Sequence, residues 1–179
     1  QAFEKKFTKK ALEFIQAMFA IVMRENLPQA GAIIPLISAF TAVYVLDSTT
    51  VSFPESLKEQ FPGSGGSASE AASKVYLLLD WLSGTYESIK IMAGIKADQD
   101  MGKQFTRGKK ANALWLMDLG FWNLSLFSSI NAKCSYFISR LHGQTNLYVK
   151  EKKLVKFDLD KFLALAPRDR FFEFQVFLG

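Results

Sequence analysis

The chain has 179 residues, of which 49% are hydrophobic and 22% charged, with a net charge of +5. This balance is typical of a globular protein with one ordinary domain, or one domain and part of another, and it argues against disorder. The positive charge is spread along the chain, which is compatible with a polyanionic partner without requiring one. A single cysteine and a single histidine argue against a disulfide framework and against a cysteine- and histidine-based zinc site. We expect the cysteine, Cys134, to be a small buried residue.

Residues 1–30 are predicted to form a leading helical segment. Apolar residues recur every three or four positions over residues 3–24, with lysines between them, which is typical of an amphipathic helix. The first residues contain neither an initiator methionine nor a signal peptide, so we interpret them as the interior of a longer chain. The apolar stretch from Ala30 to Leu46 is short for a membrane span and contains Pro35, and we predict no membrane partner.

The first half of the remaining chain is predicted to be mainly strands. Residues 42–53 are rich in valine, tyrosine and threonine and predict a buried strand. Residues 54–70 contain a glycine cluster without the Gly-Lys-Ser/Thr ending of a phosphate-binding loop, so a flexible connector is the better interpretation. Two further strands are predicted on either side of Ser83–Gly84, a hairpin turn signal, and a short helix over residues 98–107.

The second half alternates strands and helices. The stretch "ANALWLMDLGFWN" predicts a fourth strand, followed by a helix with Asn123 as its cap and by a fifth strand, "SYFISRL". The predicted order is β-β-β-α-β-α-β, which indicates an α/β fold with a mixed sheet and helices on its faces. Residues 143–179 alternate apolar with charged residues and end in another strand candidate, so we expect the start of a β-rich insertion there.

Two aspartates, Asp47 and Asp118, each follow a buried apolar strand at the point where it gives way to a turn. Strand ends are where ligand groups converge in α/β sheets, and a carboxylate there needs a hydrogen bond, an ion pair or a cation. A divalent ion shared by both would allow phosphodiester chemistry without histidine or cysteine. The alternative is that both are strand-end caps bonded to turn amides.

Three stretches of the chain together resemble a known family. They are "VYVLDSTTVSFPESLKEQFPGSGG", "KVYLLLDWLSG" and "LMDLGFWNLSLFSSINAKCSYFISRL". In this order they resemble the Asp-Asp-Glu transposases of bacterial insertion sequences, the large "IS four" group, over roughly residues 40–142. Several motifs in order are more specific than any one of them.

The resemblance implies a ribonuclease-H-like core over residues 31–142 and a DNA strand cleavage and transfer enzyme that uses Mg²⁺ or Mn²⁺. It implies that Asp47 and Asp118 bind the metal and that the two carboxylates lie on adjacent strands. The third acid of the family is a glutamate in a Tyr/Arg/Glu/Lys motif, which neither Glu151 nor Glu173 matches. We therefore expect the chain to end inside the insertion and to be inactive by itself. A bacterial cytoplasmic location and a dimer in a complex with transposon ends are further expectations.

Other residues are candidates for DNA contact. Arg140 matches the arginine of the family's strand and is expected either to bind a DNA phosphate or to form a surface salt bridge. Thr49 is expected either to support Asp47 or to serve only as a strand residue. We assign Asp80 to a solvent-exposed role, as we do Asp100. A basic stretch before the fourth strand is expected either to follow a DNA backbone or to be a solvated loop; it consists of Lys103, Arg107, Lys109 and Lys110.

Two alternative functions stay open on the sequence. One is an ATPase of the actin or sugar-kinase type, which also brackets a metal-bound phosphate with aspartates. Such sites need glycines directly after the first aspartate, and Ser48 and Thr49 stand here instead. The other is a non-catalytic remnant of a degenerate element that binds DNA or nothing.

Overall fold

The computed structural model describes residues 10, 13–15, 17–18, 21–22, 35–65, 69–150 and 153–178. These divide into two compact units, Gln1–Arg140 and Leu141–Gly179. Every described residue before position 23 is helical and exposed. The rest of the predicted leading helical segment before position 31 lies outside the described residues. In the described part of the chain, no helix combines the length and apolar character needed to cross a bilayer.

Unit 1 is built on a five-stranded mixed sheet with the strand order β3-β2-β1-β4-β5. The first three strands are antiparallel neighbours, and β1, β4 and β5 are parallel neighbours. The prediction of an α/β fold with a mixed sheet is confirmed. In chain order the elements are β1 (Val43–Ser52), β2 (Ala72–Asp80), β3 (Thr85–Ala93), α1 (Asp98–Thr106), β4 (Leu114–Met117), α2 (Leu124–Asn131) and β5 (Tyr136–Ile138), with 3-10 helices at Ile37–Ala39, Glu55–Leu57 and Leu119–Phe121.

One face of this sheet is buried and forms the core of unit 1. Strand residues alternate between the two faces. In β1 the alternate residues Tyr44 and Leu46 are both 1% exposed, whereas Val45 between them is half-buried. The buried face packs against side chains of α1, α2 and the turn after β4. The largest fully buried side chains of this core are Trp115, Tyr44, Tyr76, Phe105, Phe121, Leu46, Leu78, Leu126 and Ile130.

Local signals account for the ends of several elements. The Oδ1 atom of Asn123 accepts hydrogen bonds from the backbone N–H groups of Ser125 (2.9 Å) and Leu126 (3.3 Å), so it caps α2 as predicted. Gly84 closes the β2–β3 turn with a φ of 66°, in the left-handed region that favours glycine. Gly94 follows β3, where a Cβ atom would lie 2.6 Å from the Cβ of Ala72.

Two expectations about unit 1 are wrong. Asp80 is 1% exposed rather than solvated, because its Oδ1 accepts the N–H groups of Val43 (3.4 Å) and Leu82 (3.1 Å). Its Oδ2 lies 3.4 Å from the Nζ atom of Lys110. Cys134 is exposed rather than buried, since it lies in the tight turn after α2 with a φ of 50°.

Unit 2 has a three-stranded antiparallel sheet with the order β7-β6-β8. Its elements are β6 (Leu147–Lys150), β7 (Leu154–Phe157), α3 (Leu159–Leu165) and β8 (Phe177–Leu178). Helix α3 falls in a segment that the alternating pattern predicts to be extended. Asp158 explains the difference, because its side chain accepts the N–H of Lys161 at 2.9 Å and caps the helix.

Candidate metal centre

Asp47 and Asp118 occupy the same level on two neighbouring strands. The ladder between β1 and β4 pairs Leu46 with Met117. The two aspartates are the next residues on each chain, so they continue this register and face the same side of the sheet. β4 ends at Met117, whereas β1 continues to Ser52 paired with β2. The two carboxylates therefore stand where β1 and β4 separate, on the face opposite the buried core.

Arg140 adds a cation from the third parallel strand. The β4–β5 ladder pairs Leu116 with Ile138, so Arg140 lies level with Asp118. Its Nε and Nη2 atoms donate to Oδ1 of Asp118 at 3.0 Å and 2.6 Å. The side chains of Arg140 and Asp118 are 72% and 55% exposed. Exposed ion pairs add little to fold stability, so this pair is better understood through what it does to the carboxylate.

Both carboxylates also accept a backbone amide from the residue that follows. The N–H of Ser48 donates to Oδ1 of Asp47 at 2.8 Å. The N–H of Leu119, and after it the Arg140 guanidinium, lower the pKa of Asp118 from its ordinary value. Each aspartate thus makes the local amide contact of a strand-end cap, and each is still exposed to solvent.

These three charged residues belong to one open depression. Its floor is apolar. Asp118 directly follows the last residue of β4, whereas Asp47 lies in the middle of β1, so the expectation that this strand gives way to a turn at Asp47 is wrong. The lining residues are Val45, Leu46, Asp47, Leu116, Met117, Asp118, Ile138, Ser139 and Arg140. Carboxylate oxygens are the donors that Mg²⁺ and Mn²⁺ prefer. Among the described residues, no cluster of three or more histidine, cysteine, aspartate or glutamate side chains is placed to hold a metal. The pair therefore fits a divalent ion in donor type and leaves the other coordination positions to water, phosphate oxygens or a further ligand.

The other predicted site residues lie at different places. Thr49 is exposed two residues beyond Asp47, on the same face of β1. α1 begins next to β1, where its first residue, Asp98, contacts Ser48. Lys103 is exposed in the last turn of α1, and Arg107 follows the helix. The two remaining lysines lie at the opposite edge, where Lys109 pairs with Glu87 (2.7 Å) and Lys110 with Asp80 (3.4 Å).

Sequence reasoning missed Asp98, the first residue of α1. Its Oδ1 accepts a hydrogen bond from the Oγ of Ser48, the neighbour of Asp47, at 3.1 Å. Its Oδ2 lies where a Cβ atom on Gly120 would approach to 2.7 Å, two residues after Asp118. An acidic residue in the first turn of a helix is common, so no signal in the sequence distinguishes this one.

Comparison with known proteins identifies the family. The model of the family described as "Transposase DDE domain" matches residues 38–172. The chain belongs to this family, which confirms the resemblance drawn from its motifs. It is 32% identical over 158 residues to the transposase for insertion sequence element IS1151 of Clostridium perfringens, which covers 88% of this chain and 33% of that protein.

Further relatives come from Bacillus thuringiensis. The transposase for insertion sequence element IS231F of subspecies israelensis is 28% identical over 151 residues, covering 84% of this chain and 32% of the relative. The transposase for IS231B of subspecies berliner is 29% identical with the same coverage. The chain thus spans about a third of the length of the curated relatives it matches.

Proposed function

We propose that this chain is the catalytic-core part of a DNA transposase that cleaves and transfers DNA strands at the ends of an insertion sequence. The observation that carries the proposal is the β1–β4 register. It pairs Leu46 with Met117, which supports a side-by-side position on one face of the sheet for the next residues, Asp47 and Asp118. The family match and the three insertion-sequence transposases support it independently.

We further propose that unit 1 has a ribonuclease-H-like fold. The strand order β3-β2-β1-β4-β5, with three antiparallel strands followed by two parallel ones, supports this assignment. In such a sheet the first and fourth strands are neighbours, so an acid within β1 and an acid directly after β4 can meet without help from long loops. The two alternative functions left open by the sequence gain no support from a specific contact in the structure.

Asp47 and Asp118 are the residues that would hold Mg²⁺ or Mn²⁺. A bound divalent ion would supply activation of the attacking oxygen and stabilisation of the leaving oxygen. In strand cleavage, a water oxygen bonds to the phosphorus and the bond from phosphorus to the 3′ oxygen breaks, which leaves a 3′ hydroxyl and a 5′ phosphate. In strand transfer, the oxygen of that 3′ hydroxyl bonds to a phosphorus of the target strand, and the bond from this phosphorus to the target's own 3′ oxygen breaks, so the proton of the attacking hydroxyl is lost and a new 3′ hydroxyl is released on the target. The exposed position of the two carboxylates suits a polymeric substrate that approaches from solvent.

Arg140 is the residue best placed to contact DNA near the carboxylates. It is 72% exposed and its guanidinium stands level with Asp118. An arginine in this position can pair with a backbone phosphate while it stays near the reacting groups. Lys103, Arg107, Lys109 and Lys110 stay predictions as DNA contacts, as do the dimer in complex with DNA ends and the bacterial cytoplasmic location. The two paired lysines would have to exchange their acidic partners for phosphates.

The test is strand cleavage by the full-length protein that contains this chain. A duplex with the insertion-sequence end should be nicked in the presence of Mn²⁺ or Mg²⁺ and not in the presence of a chelator. Asp47→Asn and Asp118→Asn should each abolish nicking, whereas Asp100→Asn, which changes an exposed acid in α1, should leave it intact. Undiminished nicking by either site variant would refute the assignment, and a full-length protein that folds and binds the end without nicking it would identify a non-catalytic remnant.

A further inference from the structure

Asp98 contacts both segments that carry the metal-binding carboxylates. It lies on the buried side of the sheet, opposite to the face that carries Asp47 and Asp118. From β1, the Oγ of Ser48 donates to Oδ1 of Asp98 at 3.1 Å. From the turn after β4, the backbone of Gly120 approaches so closely that a Cβ atom would stand 2.7 Å from Oδ2.

Position 120 favours glycine because the Asp98 carboxylate lies so close, and not because its backbone conformation excludes other residues. The described glycines with positive φ are Gly65, Gly84 and Gly108, and Gly120 is not among them. An alanine would therefore fit the backbone, and the three atoms nearest to its Cβ would all be side-chain atoms of Asp98. The turn that follows Asp118 rests directly on the Asp98 carboxylate.

The start of α1 is itself fixed to the sheet by β2. The Nζ of Lys74 donates to the carbonyl oxygen of Lys96 at 3.0 Å, and the hydroxyl of Tyr76 donates to the same oxygen at 3.2 Å. Lys74 also forms an ion pair with Asp98 at 3.2 Å, in which the two side chains are only 17% and 19% exposed. Such a partly buried, multiply bonded carboxylate moves less than an exposed one.

Resting on the proposed function, we infer that Asp98 is a positioning residue that sets the separation of Asp47 and Asp118. The β1–β4 ladder ends at Leu46 and Met117, so it does not extend to the aspartates themselves. Asp98 holds the chain one residue after Asp47 and two residues after Asp118, and it does so from the opposite face. Metal sites are sensitive to such support, and loss of a residue that orients the ligands commonly lowers affinity 10- to 100-fold.

The inference is tested by the affinity of this chain for Mn²⁺, measured by electron paramagnetic resonance of the free ion at a temperature where every variant is folded. Asp98→Ala and Gly120→Ala should each weaken binding about 10-fold. Ser48→Ala, which removes only one hydroxyl, should weaken it in the same direction and keeps the test available if Asp98→Ala does not fold. The matched control is Glu87→Gln, which breaks an ion pair of similar exposure at the opposite edge and should leave the affinity unchanged.

The double variant separates positioning from general damage. With Asp98 truncated to alanine, a Cβ atom at position 120 no longer meets a carboxylate, so Gly120→Ala should weaken Mn²⁺ binding no further in that background. The positioning role would be overturned if the fold-losses of Mn²⁺ affinity in the two single variants multiplied in the double variant. It would also be overturned if Asp98→Ala and Gly120→Ala each bound Mn²⁺ with the affinity of the wild type. The variant Asp47→Asn tests the metal centre separately from the positioning role of Asp98. If this variant binds Mn²⁺ as tightly as the wild type does, the proposed metal centre itself is refuted.

Discussion

Replacing Asp80 by alanine should destabilise unit 1 markedly, although this residue is far from the candidate metal centre. Its side chain is 1% exposed and accepts two backbone N–H groups, those of Val43 and Leu82. Without the carboxylate, the buried amide of Val43 loses this acceptor, and leaving a buried donor unsatisfied costs about 1–3 kcal/mol. The half-buried amide of Leu82 can partly recover by binding water. The ion pair with Lys110, whose side chain is 54% exposed, contributes at most about 1 kcal/mol.

We therefore expect Asp80→Ala to lower the free energy of unfolding by about 2–4 kcal/mol. For a chain of this size, that loss corresponds to a fall in Tm of roughly 5–15 °C. Thermal and urea unfolding followed by circular dichroism would measure both quantities. Asp80→Asn keeps an acceptor oxygen and should retain most of the stability, and Asp100→Ala, at an exposed position, should change it little. If Asp80→Ala unfolds at the same temperature as Asp100→Ala, the hydrogen bonds of Asp80 do not hold the start of β1.

Three smaller changes give further checks on the same fold. Asn123→Ala removes the cap of α2 and should cost about 1 kcal/mol in a denaturant titration, so an unchanged midpoint would contradict the cap. Gly94→Ala sets a Cβ atom 2.6 Å from the Cβ of Ala72 and should cost about 1–3 kcal/mol; a neutral or stabilising effect would show that the strands separate without cost. Cys134 is exposed, so a thiol reagent should modify the native protein as fast as the unfolded protein, and strong protection would place this turn in the interior.

The sequence predicts most of unit 1 because its signals are local. An apolar, β-branched run is sufficient to predict β1 and β4, and therefore to notice Asp47 and Asp118, although β1 continues through Asp47 to Ser52 instead of turning there. The start of α2 is predictable because its cap, Asn123, is also a local signal. The register that sets the two aspartates level is a pairing between segments 71 positions apart (118 − 47). Local signals do not show such a pairing, and only the family resemblance led us to expect adjacent strands.

Residues whose role depends on neighbours that are distant in the sequence are not predictable from local patterns. Asp80 resembles any other charged residue at a strand end, and its burial follows from the amides of Val43 and Leu82 that converge on it. The importance of Asp98 follows from Ser48 and Gly120, 50 and 22 positions away (98 − 48 and 120 − 98). In unit 2, the alternation of apolar and charged residues predicts an extended chain, so the helix cap at Asp158 is not recognised from the sequence.

The same pattern leads to an overextended strand in unit 2. Only Phe177–Leu178 of the predicted C-terminal strand pairs with another strand. The aromatic residues of this unit instead pack on each other, with ring centroids of Phe162 and Phe174 separated by 4.8 Å. Apolar residues at alternating positions thus need not belong to a ladder, because aromatic rings can pack on each other instead, even where they stay partly exposed, as Phe174 does.

The central claim, that Asp47 and Asp118 share one divalent ion, is tested most directly by iron-directed cleavage of the polypeptide. Fe²⁺ substituted for Mg²⁺ generates hydroxyl radicals with ascorbate and peroxide, and these cut the backbone close to the ion. We expect two cuts in this chain, one near residue 47 and one near residue 118, both suppressed by excess Mg²⁺ and both lost in Asp47→Asn. Unit 2 has a depression of its own, lined by residues between Leu141 and Asp160. A single cut, cuts that persist in that variant, or cuts confined to this second depression would contradict the shared ion.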